Sequence, residues 1–208
     1  LTLYCSVEID VCEMLEQAYE KETGTKVAMT RASSGETFAK IKAESSNPKG
    51  DVWFGGTGDP HLTAAQENLT EKYKSTHFND LLPAAQNQAK NADFKSVGIY
   101  VGALGFGYNK DLLAKKGLPA PKSWMDLTKP IYKGEIQVAN PNSSGTAYTT
   151  LATILQIFGE DKGWDYMKKL HLNINTYTKS GSAPIKATAR GENLIGICFQ
   201  HDGVKQTK

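Results

Sequence analysis

Over its first 68 residues the chain alternates short apolar runs with segments of helical period, and that alternation restricts it to an α/β fold. Residues 1–6 read as a strand, after which Val11, Met14, Leu15, Ala18 and Tyr19 recur at helical spacing until Gly24. A strand at 26–30, a helix at 36–44, a strand at 51–55 and a helix at 60–68 continue the series. Regular βαβαβα order is the signature of a mostly parallel sheet flanked by helices, because parallel neighbours need a long crossover. A polar stretch covers 70–93. A second series follows it: helix 110–116, a short helix 124–127 capped by Ser123, strand 135–139, and helices 146–158 and 161–170. Strand 173–178, helix 184–190 and strand 194–199 complete that series. Between the two lies the β-like run 97–108, punctuated by Gly98, Gly102, Gly105 and Gly107. Glycines weaken and bend a strand, so hinge strands are expected there, dividing the chain into lobes 1–101 and 102–208. Residues 200–208 read as a tail just after a strand, with no closing helix.

The turns between these elements carry the chemistry. Pro141-Asn142-Ser143-Ser144-Gly145-Thr146-Ala147-Tyr148 joins a strand to a helix through small and hydroxylated residues only. A helix start exposes unpaired backbone N–H groups and the positive end of the dipole, so it can hold an anion without a cationic side chain. A serine there also serves as a plain cap, and one such turn means little. The arrangement recurs, however, at Arg31-Ala32-Ser33-Ser34-Gly35-Glu36-Thr37, at Gly55-Gly56-Thr57-Gly58-Asp59-Pro60 and at Thr178-Lys179-Ser180-Gly181-Ser182-Ala183-Pro184. Ser33 with Glu36 also fits a capping box, so part of this pattern is structural. Four hydroxyl-rich turns at the carboxyl ends of strands point to a phosphate or carboxylate ligand held by several loops.

Other classes fit less well. The 208 residues, 39% hydrophobic and 22% charged, match an ordinary globular protein. The net charge of +2, from 24 Lys and Arg against 22 Asp and Glu, comes from dispersed cations, whereas a nucleic-acid surface clusters them. No apolar run approaches the ~20 residues of a membrane-spanning helix. The chain opens directly on a strand with no leader, which a mature secreted protein and a cytosolic one share. Cys5 and Cys12 lie seven apart, a spacing that permits a local disulfide but fits neither a zinc knuckle nor a redox Cys-x-x-Cys motif. Cys198, in the apolar run 194–199, reads as a buried free thiol. No nucleophile elbow, P-loop, dinucleotide fingerprint or zincin motif occurs. His61, His77 and His171 are scattered and read as surface residues, and Tyr4, Trp53 and Trp164 as core or rim aromatics. His201 and Asp202 form the one compact polar pair. On extended chain they would point to opposite sides and offer a ligand a donor and an acceptor.

Tyr4-Cys5-Ser6, Asn47-Pro48, Asp51-Val52-Trp53-Phe54-Gly55-Gly56-Thr57, Gly105-Phe106-Gly107 with Asn109, and Gly134-Glu135-Ile136-Gln137 together resemble ferric-type solute-binding proteins of bacterial ABC importers. The 141–148 turn, Tyr177 to Gly181 and Ala189-Arg190-Gly191-Glu192 belong to the same resemblance, which runs over nearly the whole chain. The two amino-terminal cysteines and Gln200-His201-Asp202 are most similar to its hexose-phosphate-binding branch. The iron-binding branch uses adjacent tyrosines near position 201 with His and Glu. This chain has Gln-His-Asp-Gly there, Gly56 and Thr57 about where the glutamate would lie, and Ser6 or Val7 where the histidine would. Fe(III), a hard ion, wants anionic oxygen ligands, so iron is not expected.

The resemblance implies a type II periplasmic-binding-protein fold of two α/β lobes closing on the ligand, with a C-terminal return completing the first lobe and absent from this chain. It implies a monomeric, periplasmic, non-enzymatic protein whose signal peptide has been removed, with no cofactor, no metal, no nucleic acid, and an inner-membrane ABC permease as partner. A hexose phosphate such as glucose 6-phosphate is the expected ligand. Ferric iron, phosphonate and phosphate are the alternatives within the family, and an enzyme acting on a phosphorylated substrate is the rival class. Its phosphate is assigned to Ser143, Ser144, Gly145, Thr146 and Ser180 of the second lobe with Ser34, Gly35 and Thr57 of the first. The sugar hydroxyls are assigned to His201 and Asp202, and a Cys5–Cys12 disulfide is expected.

Overall fold

The structure, a computed structural model, describes residues 1–207. The chain divides into two compact units, Leu1–Val101 and Gly102–Lys208. The first contains β1 (Thr2–Cys5), α1 (Ile9–Thr23), β2 (Ala28–Arg31), α2 (Ser34–Ala43), β3 (Val52–Phe54), α3 (Gly58–Gln66) and α4 (Pro83–Asn91). Its three strands are all parallel in the order β2-β1-β3, with Leu3 beside Met29 on one side and Val52 on the other. Leu3, Cys5 and Cys12 form its buried centre, with Val7, Val27, Met29 and Phe54 packed around them. Gly24 stops α1 in the left-handed conformation, φ 71°, and its N–H returns to the Glu20 carbonyl, the usual glycine end of a helix.

Cys5 and Cys12 are joined in a disulfide, with their Cα atoms 6.0 Å apart. It ties β1 to the first turns of α1, where the buried apolar area is small. Closing so short a loop in the unfolded chain should stabilise the fold by ~2–3 kcal/mol. The expected result is a lower denaturant midpoint in reductant, with one thiol alkylated in the denatured, unreduced protein and three after reduction. Three alkylated thiols in the denatured, unreduced protein would rule the bridge out.

The second unit contains β4 (Leu104–Tyr108), α5 (Lys110–Lys115), β5 (Ile136–Ala139), α6 (Gly145–Phe158), α7 (Glu160–His171), β6 (Ile174–Thr178), α8 (Ala183–Ala189), β7 (Ile195–Phe199) and α9 (Gln200–Lys205). The strand order is β4-β7-β5-β6, with β5 parallel to β6 and β7 and β4 antiparallel to β7. Ile136, Ile154, Leu170, Leu194, Ile195 and Ile197 are fully buried in one contiguous core. Every residue of β5 is buried because sheet neighbours cover its edges and helices its faces.

Four expectations from the sequence change. The polar stretch 70–93 contains α4, started by Pro83 in the first turn and buried through Ala89. The β-like run 97–108 is strand only at β4, and 96–103 has no regular structure, with Val101 82% exposed. Valine and isoleucine favour strands by packing against neighbours, and, among the described residues, 96–103 pair with no strand of either sheet. Residues 124–128 form a 3-10 turn, capped at Ser123 as expected. A closing helix is present after all, because α9 follows β7 directly.

Candidate functional site

In each unit the carboxyl ends of the parallel strands gather the hydroxylated turns. In the first unit these are Ser6 after β1, Ser33 and Ser34 after β2, and Gly55–Gly56–Thr57 after β3. Ser34 is buried at the start of α2, and Gly35 is the next helical residue, half-buried. Ser33 and Glu36 close the expected capping box, the Ser33 N–H reaching Glu36 Oε2 at 3.2 Å. The Thr57 N–H donates to Ser34 Oγ at 3.3 Å, which joins two of the three turns. Ser6 Oγ lies 3.0 Å from Thr37 Oγ1 and accepts from the Trp53 indole at 2.9 Å. Gly55 and Gly56 have φ of 77° and 89°, and a Cβ on Gly56 would lie 2.2 Å from Ser34 Oγ. Only glycine fits that position. Thr57 Oγ1 is a buried hydroxyl without a hydrogen-bond partner among the described residues. Arg31, at the end of β2, donates from Nε to the Val7 carbonyl at 2.9 Å, with Nη2 4.0 Å from Glu8.

His61, expected at the surface, is instead half-buried and stacked on Trp53 with ring centroids 3.6 Å apart. Its Nε2 lies 2.8 Å from the Gly55 carbonyl, an acceptor, so Nε2 carries the proton. Burial holds the His61 pKa below the ordinary 6.5, although the bond to Gly55 pulls the other way. The folded chain therefore binds this proton less readily than the unfolded chain does. The stabilisation is fully present above pH 6.5 and is lost as pH falls through the lower folded value. Wild type should lose more stability than His61→Gln between about pH 7.5 and about pH 5, read from denaturant midpoints. A constant gap between the two proteins would contradict this.

In the second unit Ser144 caps α6, its Oγ accepting from the Ala147 N–H at 3.4 Å, and both Ser144 and Gly145 are buried. Ser143 Oγ donates to the Lys179 carbonyl at 2.9 Å, fastening the β5–α6 turn to the β6–α8 turn. Ser180 Oγ is 3.3 Å from Ser182 Oγ. A Cβ on Gly181 would stand 2.1 Å from Thr146 Oγ1 and 2.9 Å from Ser144 Oγ, so the two turns are in direct contact. The structure thus brings Ser143, Ser144, Gly145, Thr146 and Ser180 together.

His201 and Asp202 share the first turn of α9, after β7, with His201 Nε2 3.6 Å from Asp202 Oδ1. This corrects the expectation that extended chain points them to opposite sides: helical φ/ψ turns neighbours through a smaller angle. Asp202 is buried and His201 exposed, its ring parallel to Phe199. Burial and the nearby Asp202 charge push the Cys198 thiol up to about 12, so it stays protonated and unreactive.

A separate apolar cavity of about 370 Å³ lies between α6, α7 and the β5–β6 edge, with Leu151, Trp164 and Met167 in its wall. Its wall is mainly apolar, with the hydroxyls of Thr150 and Tyr177 among a few polar groups. The ligand set assigned from sequence leaves out Ser6, Arg31, Gly56, His61, Tyr100 and Gly181, which the structure places in or against these turns. Gly181 and Gly56 had a local signal, since each sits among small residues at a strand-to-helix turn.

The model of the bacterial extracellular solute-binding proteins matches residues 51–206. A Haemophilus influenzae protein described as uncharacterized is 47% identical over 203 residues, covering 97% of this chain and 59% of its own length. A putative 2-aminoethylphosphonate-binding periplasmic protein of Salmonella typhimurium is 30% identical over 158 residues, 75% of this chain and 43% of that protein. The solved structure of the periplasmic binding protein AfuA of Actinobacillus pleuropneumoniae, with exogenous fructose-6-phosphate bound, superposes with a TM-score of 0.97 at 46% identity. It covers all of this chain, which spans 65% of it. The chain therefore belongs to the bacterial extracellular solute-binding proteins.

Proposed function

We propose that the protein is the periplasmic solute-capturing component of an ABC importer, taking a small phosphorylated sugar such as glucose 6-phosphate and delivering it to an inner-membrane permease. The observation that carries the reading is the 46% identity to AfuA, whose structure holds fructose-6-phosphate, combined with hydroxyl-rich turns at strand ends. In the second unit the phosphate is assigned to Ser143, Ser144, Gly145, Thr146 and Ser180, and in the first to Ser34, Gly35 and Thr57. Backbone N–H groups at helix starts and small hydroxyls suit an anion without needing a lysine. His201 and Asp202 are assigned to the sugar, because a carboxylate repels phosphate and suits neutral hydroxyl donors.

A phosphonate is the second reading, favoured by the 2-aminoethylphosphonate-binding relative. An enzyme of phosphorylated substrates would need a general base beside a nucleophile. Calorimetry of the protein at its natural length against glucose 6-phosphate, 2-aminoethylphosphonate, inorganic phosphate and ferric citrate tests the proposal. Tightest binding of the hexose phosphate is the expected result. Binding of iron without response to any phosphate ester would reverse it, and turnover of glucose 6-phosphate followed by NMR would replace binding with catalysis.

A further inference from the structure

Tyr100 lies in the irregular segment 96–103, and its hydroxyl is bonded twice to one residue. It accepts from the Gly56 N–H at 2.8 Å and donates to the Gly56 carbonyl at 2.8 Å. Around it the same turn is fixed by other groups: His61 holds the Gly55 carbonyl and Ser34 takes the Thr57 N–H. The Thr57 hydroxyl, next along the chain, is buried without a partner among the described residues.

A single atom that accepts and donates at once is a hydroxyl. A fully ionised phosphate oxygen could accept from the Gly56 N–H, but it would then face the Gly56 carbonyl with lone pair against lone pair. The Gly56 backbone pair therefore selects a hydroxyl over a phosphate oxygen, and Tyr100 already satisfies it. We propose that the Gly56 N–H and C=O form a subsite that reads a hydroxyl of the ligand, and that the Tyr100 phenol occupies it until such a hydroxyl takes its place. The inference rests on the sugar-phosphate reading and refines it, because it gives the Gly56 backbone to a sugar hydroxyl beside Thr57, which is assigned to the phosphate.

Displacement is cheap on this geometry. Tyr100 is 47% exposed, sits outside any helix or strand, and gives up two hydrogen bonds that the incoming hydroxyl replaces in kind. The exchange is close to neutral, so Tyr100 discounts the contribution of Gly56 to affinity, and a ligand that brings no hydroxyl leaves Tyr100 in place. Gly56 itself cannot be bypassed by a bulkier residue, since a Cβ there would meet Ser34 Oγ.

Tyr100→Phe keeps the ring and removes the competing hydroxyl, so it tests the idea directly. Glucose 6-phosphate should bind about threefold to tenfold tighter to Tyr100→Phe than to wild type, the worth of one or two neutral hydrogen bonds. Inorganic phosphate should bind both proteins equally, and the Gly56 amide resonance of the variant should move when glucose 6-phosphate is added. Weaker or unchanged hexose-phosphate binding, or an equal gain for inorganic phosphate, overturns the subsite. If wild type ignores glucose 6-phosphate, the proposed function falls, and the subsite is then judged on glucose alone. Movement of the Gly56 amide of Tyr100→Phe by glucose upholds it, and a stationary resonance overturns it.

Discussion

Gly181→Ala should weaken binding of every phosphorylated ligand by about a hundredfold or more and destabilise the fold by about 1–3 kcal/mol. The added methyl would stand 2.1 Å from Thr146 Oγ1 and 2.6 Å from Thr146 Cβ. Rotating the threonine side chain removes the first clash but not the second, because Cβ moves only with the backbone. The β6–α8 turn must therefore separate from the start of α6, carrying Ser180 away from Ser143, Ser144 and Thr146. Two charge-assisted contacts to one phosphate are then mispositioned together, each worth about 1.5–3 kcal/mol. Gly117→Ala is the control: its φ of 64° brings strain, but nothing lies within 4 Å of the new methyl. It should cost about 1–2 kcal/mol of stability and leave affinity unchanged. Calorimetry with glucose 6-phosphate and denaturant melts of both variants decide the matter. Equal affinity losses in the two would show that general destabilisation, and not the contact between turns, is responsible.

The readable part of this chain is the part governed by neighbours in sequence. Apolar periodicity, the Gly24 helix end and the Ser123 and Ser144 caps depend on residues within four positions, and they marked most of the strands and helices to within a few residues. Helix α4 escaped because its buried contact is made by alanine among glutamines and asparagines, which leaves no apolar stripe to see. The segment 96–103 misled for the opposite reason. Val97, Ile99 and Val101 have strand chemistry, yet strand formation needs a partner edge, and pairing is decided by distant chain.

The same divide runs through the candidate site. Ser143 to Thr146 and Ser33 to Gly35 declared themselves through local composition. The bonds that fix the turns join positions far apart: Tyr100 to Gly56, Thr57 to Ser34, Ser143 to Lys179. His61 looked like one scattered histidine because its two partners, the Trp53 ring and the Gly55 carbonyl, meet it only through the β3–α3 turn. Local pattern therefore nominates the candidate ligand-binding groups, and long-range contact supplies the residues that hold them in place.

Thr146→Ala and Asp202→Ala should divide the ligand between them. Thr146 lies in the first turn of α6, beside Gly145 and the Ser144 cap, where the proposed function places the phosphate. Removing its hydroxyl should weaken hexose phosphates and inorganic phosphate alike, by about tenfold to a hundredfold. Asp202 is a buried carboxylate in the first turn of α9, 3.6 Å from the exposed His201 ring. A carboxylate there repels phosphate but accepts from sugar hydroxyls, and burial strengthens both effects by lowering the local dielectric. Asp202→Ala should therefore abolish discrimination between glucose 6-phosphate and other phosphorylated sugars while leaving a weak phosphate affinity. Asp202→Asn keeps the shape and part of the hydrogen bonding, so it should retain more discrimination than alanine does. Removing the charge should also let the Cys198 thiol ionise at lower pH, since Asp202 helps to hold it up. That second readout reports whether the substituted helix still packs against β7. If both alanine variants lose affinity equally for every ligand while Cys198 behaves as expected, α9 is not the sugar-reading element.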